Sequence, residues 1–191
     1  STFWMDQTEV SQSAYKSYAD TKGLPYPWTR TVEVCNSGPP AMDQHPVQCI
    51  NYSEAAAYCA YLGKRLPSEE EWEFAAVGSS RNEYPWGPTP DSSKACYGFG
   101  APCVIGIKGQ TFQGAVVMPG FVDLVGNVRE WTTSDFCPAG VSGCTPGNGM
   151  VATRGGSWAD NTAAAVSCHS RTGNAQNELH DNLGFRCAKN Y

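Results

Sequence analysis

Charge is scarce in this chain: Asp, Glu, Lys and Arg make up 16% of its 191 residues, and the formal net charge is −5. No run of Lys or Arg occurs, so the basic footprint that nucleic-acid binding needs is missing. No apolar stretch approaches the roughly 20 residues of a transmembrane helix, so no membrane span is predicted. The nine cysteines do not form two C-x-x-C knuckles, which argues against a zinc ribbon. Nothing matches a G-x-S-x-G elbow, a P-loop or a dinucleotide fingerprint. No internal repeat, low-complexity tract or linker divides the chain, so one domain over residues 1–191 is expected. It opens at Ser1 with no charged, apolar leader, and any export signal is expected to lie outside this stretch.

What is present is apolar and aromatic. Apolar residues make up 41% and aromatics 12%, enough for a core, while 20 Gly and 13 Pro predict a loop-rich α+β fold. Three helices are predicted. The first begins at Ser11 as N-cap and stops at Gly23; the second runs from Ser53 to Leu62 and ends at Gly63. The third opens on Ser68 and Glu71 as a capping box, so Glu69, Glu70 and Glu71 are explained by a helix start without a catalytic role. From Gly78 onward, dense Gly, Pro, Asn and Asp predict short strands and long loops. Trp72, Trp86 and Trp131 are expected in the core, where one Trp buries about 150–250 Å². Arg65, Arg154 and Arg186 are expected as buried clamps on carbonyls and carboxylates. Gly155, Gly156 and Gly184 suit backbone that a Cβ would block, and His45, before Pro46, is expected to be structural.

Three cysteine pairs stand close together in Gly/Pro-rich sequence: Cys35 with Cys49, Cys96 with Cys103, and Cys137 with Cys144. Short stapled loops of this kind predict an oxidised, exported protein, with one thiol left over by parity. The alternative is a cytosolic chain of reduced core cysteines.

The motifs in order carry a family resemblance. The chain reads HPVQCINYSEAAAYCAYLGKRLPSEEEWEFAA at 45–76, YPWG at 84–87, DLVGNVREW at 123–131, RGGSW at 154–158 and NLGFRC at 182–187. This series resembles the formylglycine-generating enzyme, or sulfatase-modifying factor, family, whose fold is a variant of the C-type lectin fold. FWMDQTEVSQSAYKSY at 3–18 fits the family's early strand-helix passage, so the resemblance spans nearly the whole chain. The family's opening strand with its Gly-Phe-Met-Gly signature is missing, and the stretch between YPWG and GNVREW is short.

The resemblance implies specific chemistry. Vertebrate members bond the cysteine of AYC to that of GFRC, which here are Cys59 and Cys187. A second family bridge would use Cys168, but its partner position is Ala76, which leaves Cys168 free. Active members bind copper(I) through two cysteines just after RGGS; the matching positions here are Asp160 and Ala165, so no copper is expected. Members that use iron hold it with histidines from an added helical domain, and the three histidines here offer no such set. The family's calcium segment matches DLVGNVRE. It implies Ca²⁺ held by the Asp123 side chain, the carbonyls of Gly126 and Val128, and the Glu130 carboxylate, which is sound hard-ion chemistry. Read without the family, the same segment is an Asp/Asn-rich turn. A second family calcium site is not carried over, because its loop is shortened and Cys96 falls near an expected Asn.

The function implied is a non-catalytic, calcium-stabilised, exported interaction module on this scaffold. It would take a protein or peptide ligand in a groove near Trp158, Asp160, His169 and Arg171. The alternatives are a metal-dependent oxidase or sulfatase-modifying enzyme with a non-standard site, and a ligand-display protein of lectin-like fold. The oligomeric state is not set by the sequence.

Overall fold

The computed structural model describes residues 2–31, 35, 43–78, 81–108, 120–138 and 147–191. Strand β1 (Phe3–Met5) leads into α1 (Gln12–Lys22). The Ser11 side chain accepts from the Ala14 amide and Gly23 turns left-handed at the end, as the sequence predicts. Helix α2 (Tyr52–Tyr61) starts one residue earlier than expected. Its cap is Asn51, two positions before Ser53, which exchanges hydrogen bonds with Glu54 in a capping box. Helix α3 (Glu69–Val77) has the predicted Ser68–Glu71 box.

The remaining strands are short: β2 (Arg129–Asp135), β3 (Met150–Arg154), β4 (Arg171–Ala175), β5 (Leu183–Gly184) and β6 (Ala188–Asn190). Trp, Thr and Val in β2 and β3 suit a pleated, half-buried surface. The sheet order is β4-β3-β2-β5, with β2 antiparallel to β3 and parallel to β5. A second, two-stranded sheet pairs β1 with β6, so the two ends of the described chain are hydrogen-bonded together. The closest approaches fall on glycine. A Cβ on Gly184 would meet the Val47 carbonyl at 2.5 Å, and one on Gly156, at φ +68, would meet the Ala165 carbonyl at 2.3 Å.

Two apolar cores result. One gathers Tyr15, Tyr18, Ile50, Tyr58, Trp131 and Phe185 around α1 and α2; the other gathers Trp72, Trp86, Phe121 and Leu124 around α3. The three tryptophans expected in the core are buried. Of the three arginines, Arg154 and Arg186 are buried, but Arg65 is a third exposed. It still clamps the Glu71 carboxylate, the Leu66 carbonyl and Asn190, so its role holds while its burial does not. Among the described residues, no helix is long and apolar enough to cross a membrane.

Disulfides join Cys35 to Cys49, Cys59 to Cys187, and Cys96 to Cys103. The Cys59–Cys187 bridge closes a separation of 128 residues, a loop for which the chain-entropy model gives about 4–5 kcal/mol. Cys137 is disulfide-bonded, and Cys144, its predicted partner, lies outside the described residues. Cys168 is a buried free thiol, with its Sγ 3.5 Å from the Ala76 carbonyl. Burial pushes its pKa well up, and Glu83 adds to the effect.

We expect a thiol reagent to find no accessible group in the native chain and one, Cys168, after denaturation without reductant. Ala76→Cys should then bring that count to zero, because residue 76 already touches Cys168. The new bridge should raise stability by up to about 4 kcal/mol. Two free thiols in the variant would show that the pair cannot close.

Candidate functional site

The segment 123–130 forms a tight loop before β2. Asp123, Gly126 and Asn127 all take left-handed backbone, at φ 56, 79 and 59. Gly126 is required there, since a Cβ would meet the Cys96 carbonyl at 2.5 Å. The Asn127 amide donates to that same carbonyl at 2.8 Å, so the Cys96–Cys103 bridge staples the neighbour on which the loop rests. Asn127 Oδ1 accepts from the Cys103 amide at 2.9 Å, and its carbonyl accepts from the Trp158 amide at 2.8 Å. The 123–130 loop is thereby locked to the RGGSW turn.

Beneath the loop lies a buried cluster of charge. Arg186 donates through Nε and Nη2 to Glu130 at 2.8–3.0 Å, and through Nη1 and Nη2 to the carbonyls of Asp6, Gln7 and Val122. Trp72 Nε1 donates to Glu130 Oε2 at 2.8 Å. Each Glu130 oxygen therefore receives two donors, so this carboxylate contributes charge with its lone pairs already engaged. Glu9 completes the cluster. It is buried and accepts from Asn127 Nδ2 at 2.6 Å and from the Val128 amide at 3.2 Å. Its only signal in the sequence is an acid placed just before Val10 and the Ser11 cap.

Three buried carboxylates, Glu9, Asp123 and Glu130, thus face one buried guanidinium. Burial raises the pKa of Glu9 well above the ordinary carboxylate value, and the charges of Asp123 and Glu130 add to it. Asp123 is also raised, chiefly by burial, although the Gly106 amide donates to it. The cluster therefore sets three carboxylates against one guanidinium beside a tightly wrapped loop, a deficit of positive charge. Among the described residues, no three His, Cys, Asp or Glu side chains form a metal cluster by themselves, so any ion here must lean on backbone carbonyls.

The four residues expected to share a groove fall into two groups. Trp158 and Asp160 lie on the turn after β3. Trp158 Nε1 donates to the Asp181 carbonyl at 3.2 Å, and Asp160 Oδ2 accepts from both the amide and the hydroxyl of Ser157 at 2.8 Å. Asn182 Nδ2 donates to the same Ser157 hydroxyl, so Asp160 is fastened into a polar network. His169 and Arg171 instead line a cavity along α3 whose lining includes neither Trp158 nor Asp160. The reason is local: the short helical turn Ala163–Val166 and buried Cys168 separate the two pairs along the chain. Among the described residues, no two thiols come together at the turn. Asp160 is held by Ser157, Ala165 has no donor side chain, and Cys168 is buried against Ala76.

A family model described as "Sulfatase-modifying factor enzyme 1-like domain" matches residues 1–191. The inactive C-alpha-formylglycine-generating enzyme 2 of Mus musculus is 40% identical over 163 residues, covering 75% of this chain and 48% of the relative. The formylglycine-generating enzyme of Mus musculus is 32% identical over 170 residues, covering 77% of this chain and 45% of the relative. The chain spans about half the length of these curated relatives. Among solved structures, PvdO from Pseudomonas aeruginosa superposes with a TM-score of 0.76 at 21% identity, covering 99% of this chain and 80% of that one.

The buried charge cluster generates a direct expectation. Arg186→Met should destabilise the chain by about 3–5 kcal/mol, the usual result of removing one partner of a buried pair. Adding Glu130→Gln should recover part of that loss, measured as a double-mutant cycle in urea. Strictly additive effects would show that the two residues do not act as a pair.

Proposed function

The chain belongs to the family of sulfatase-modifying factor enzyme 1-like domains, and from that premise we propose that it is a non-catalytic, exported interaction module stabilised by calcium. Its fold is the formylglycine-generating variant of the C-type lectin fold. The observation that carries the proposal is the turn after β3. Where active relatives are expected to hold copper(I) between two thiolates, this chain has Asp160 committed to Ser157 and the bare methyl of Ala165. Copper(I) needs soft donors, and a carboxylate hydrogen-bonded to a hydroxyl is a poor substitute. The 40% identity to a relative named as inactive supports the same view.

The calcium part of the proposal rests on the charge deficit. Asp123 and the carbonyls of Gly126 and Val128 are the proposed direct ligands. Glu130 acts as the adjacent charge, because Arg186 and Trp72 engage its oxygens. Bound calcium would neutralise a loop that is otherwise acidic and buried. Export is supported by the three disulfides formed between described residues, since such bonds persist in oxidising compartments.

Incubation with a Cys-x-Pro-x-Arg peptide, copper and oxygen should leave the peptide cysteine unchanged by mass spectrometry. Robust conversion to formylglycine would overturn the non-catalytic proposal. Separately, a chelator should lower the melting temperature of the wild type. At a hundredfold excess over Kd, a ligand specific to the native state contributes about 2.7 kcal/mol. Asp123→Asn should melt lower than the wild type in calcium and respond little to chelator. A wild type indifferent to chelator would reduce DLVGNVRE to a metal-free turn.

A further inference from the structure

The cavity along α3 belongs to neither the 123–130 loop nor the turn after β3, and its volume is about 910 Å³. Its floor is electrically closed. Glu69 places both oxygens on Arg171 and shares one with Arg154, while Arg154 also binds Glu73 and the Cys168 carbonyl. Arg171 spends its remaining Nη1 on the Cys137 carbonyl. The exception is Arg154 Nε, a buried donor with no acceptor.

The rim is open, and its chemistry changes along the helix. Glu70 is exposed and makes no ion pair among the described residues, and Glu73 is 44% exposed with its Oε1 unengaged. One turn on, Phe74 is 47% exposed, its ring set edge-on against Phe3. Beyond the end of α3, Arg81 is exposed, makes no ion pair among the described residues and sits in left-handed backbone at φ 51. The rim therefore runs from acidic through aromatic to basic. From Glu70 to Val77 the helix rises about 10 Å, the span of about three extended residues.

We propose that this cavity docks an extended peptide segment of a partner protein, with Lys or Arg set against Glu70, an apolar side chain on Phe74, and Asp or Glu against Arg81. Charge complementarity selects the occupant: the floor guanidinium groups are neutralised, so only the rim charges remain to recognise a ligand. A basic side chain next to Phe74 also gains from the face of the ring. The cavity is distinct from the turn that decides the oxidase question, so this proposal goes beyond the non-catalytic one and can fail without it.

The test uses the intact chain and three dye-labelled pentapeptides read by fluorescence anisotropy. Each has leucine at its centre; the ends are arginine and aspartate, two arginines, or two aspartates. The wild type should favour the mixed peptide over both others, and raising salt should weaken its binding. Glu70→Lys should weaken the mixed peptide about two- to fivefold and move the preference to the double-aspartate peptide. Arg81→Glu should move it to the double-arginine peptide. Both residues are exposed and make no ion pair among the described residues, so these variants keep the fold, which circular dichroism verifies. Absence of wild-type preference, or a preference that neither substitution moves, would overturn the proposal. Because the readout is peptide binding and not formylglycine formation, neither result bears on the oxidase assay.

Discussion

One guanidinium organises this protein. Arg186 is fully buried, and its donors reach the carbonyls of Asp6 and Gln7 beside β1, the carbonyl of Val122 before the loop, and the carboxylate of Glu130 in β2. Segments separated by as many as 180 positions are thus held by one side chain. A planar, always charged fork is suited to this, since five N–H groups in fixed geometry specify where each acceptor must stand. A buried pair is not in general a large net source of stability, because desolvation offsets most of the Coulombic gain. Its effect here is specification: a fold with short strands and many loops has few regular ladders to fix its register, and Arg186 fixes several at once.

That constraint explains which parts of the structure are legible in the sequence. Local chemistry is legible. Ser11 and Ser68 cap the helices predicted from them, the spaced cysteines of two local pairs close, and the tryptophans enter the cores. The position of Ala76 against Cys168 also follows from the family pattern. Helix bounds are legible only to within a step. Helix α2 starts at Tyr52 and not at Ser53 because Asn51 caps it, and Glu54, three positions on, returns the hydrogen bond to the Asn51 amide.

Long-range electrostatics is not legible. Glu9 looks like an ordinary acid before a helix, and only the folded chain brings it against Asn127 and Val128, 118 and 119 positions away. Glu130 looks like a free metal ligand until Arg186 and Trp72 are seen to fill its oxygens. The groove set divides for a similar reason. Trp158 and Asp160 follow β3 into a polar turn, while His169 and Arg171 emerge beyond buried Cys168 on the α3 side. Proximity in sequence does not survive a buried residue between two surfaces.

Two positions in the turn after β3 are held by their neighbours. An aspartate at 160 keeps a polar group where the turn needs one, because Ser157 offers it an amide and a hydroxyl, with Asn182 bonded to that hydroxyl. Gly156 lets the chain pass close to residue 165, since the Ala165 backbone carbonyl stands 2.3 Å from where a Cβ on Gly156 would lie. The geometry of the turn is therefore preserved by hydrogen bonds and close packing, and no bound ion is needed to hold it. In a chain with so few charges, an open rim that runs from Glu70 through Phe74 to Arg81 concentrates groups that the fold itself does not use.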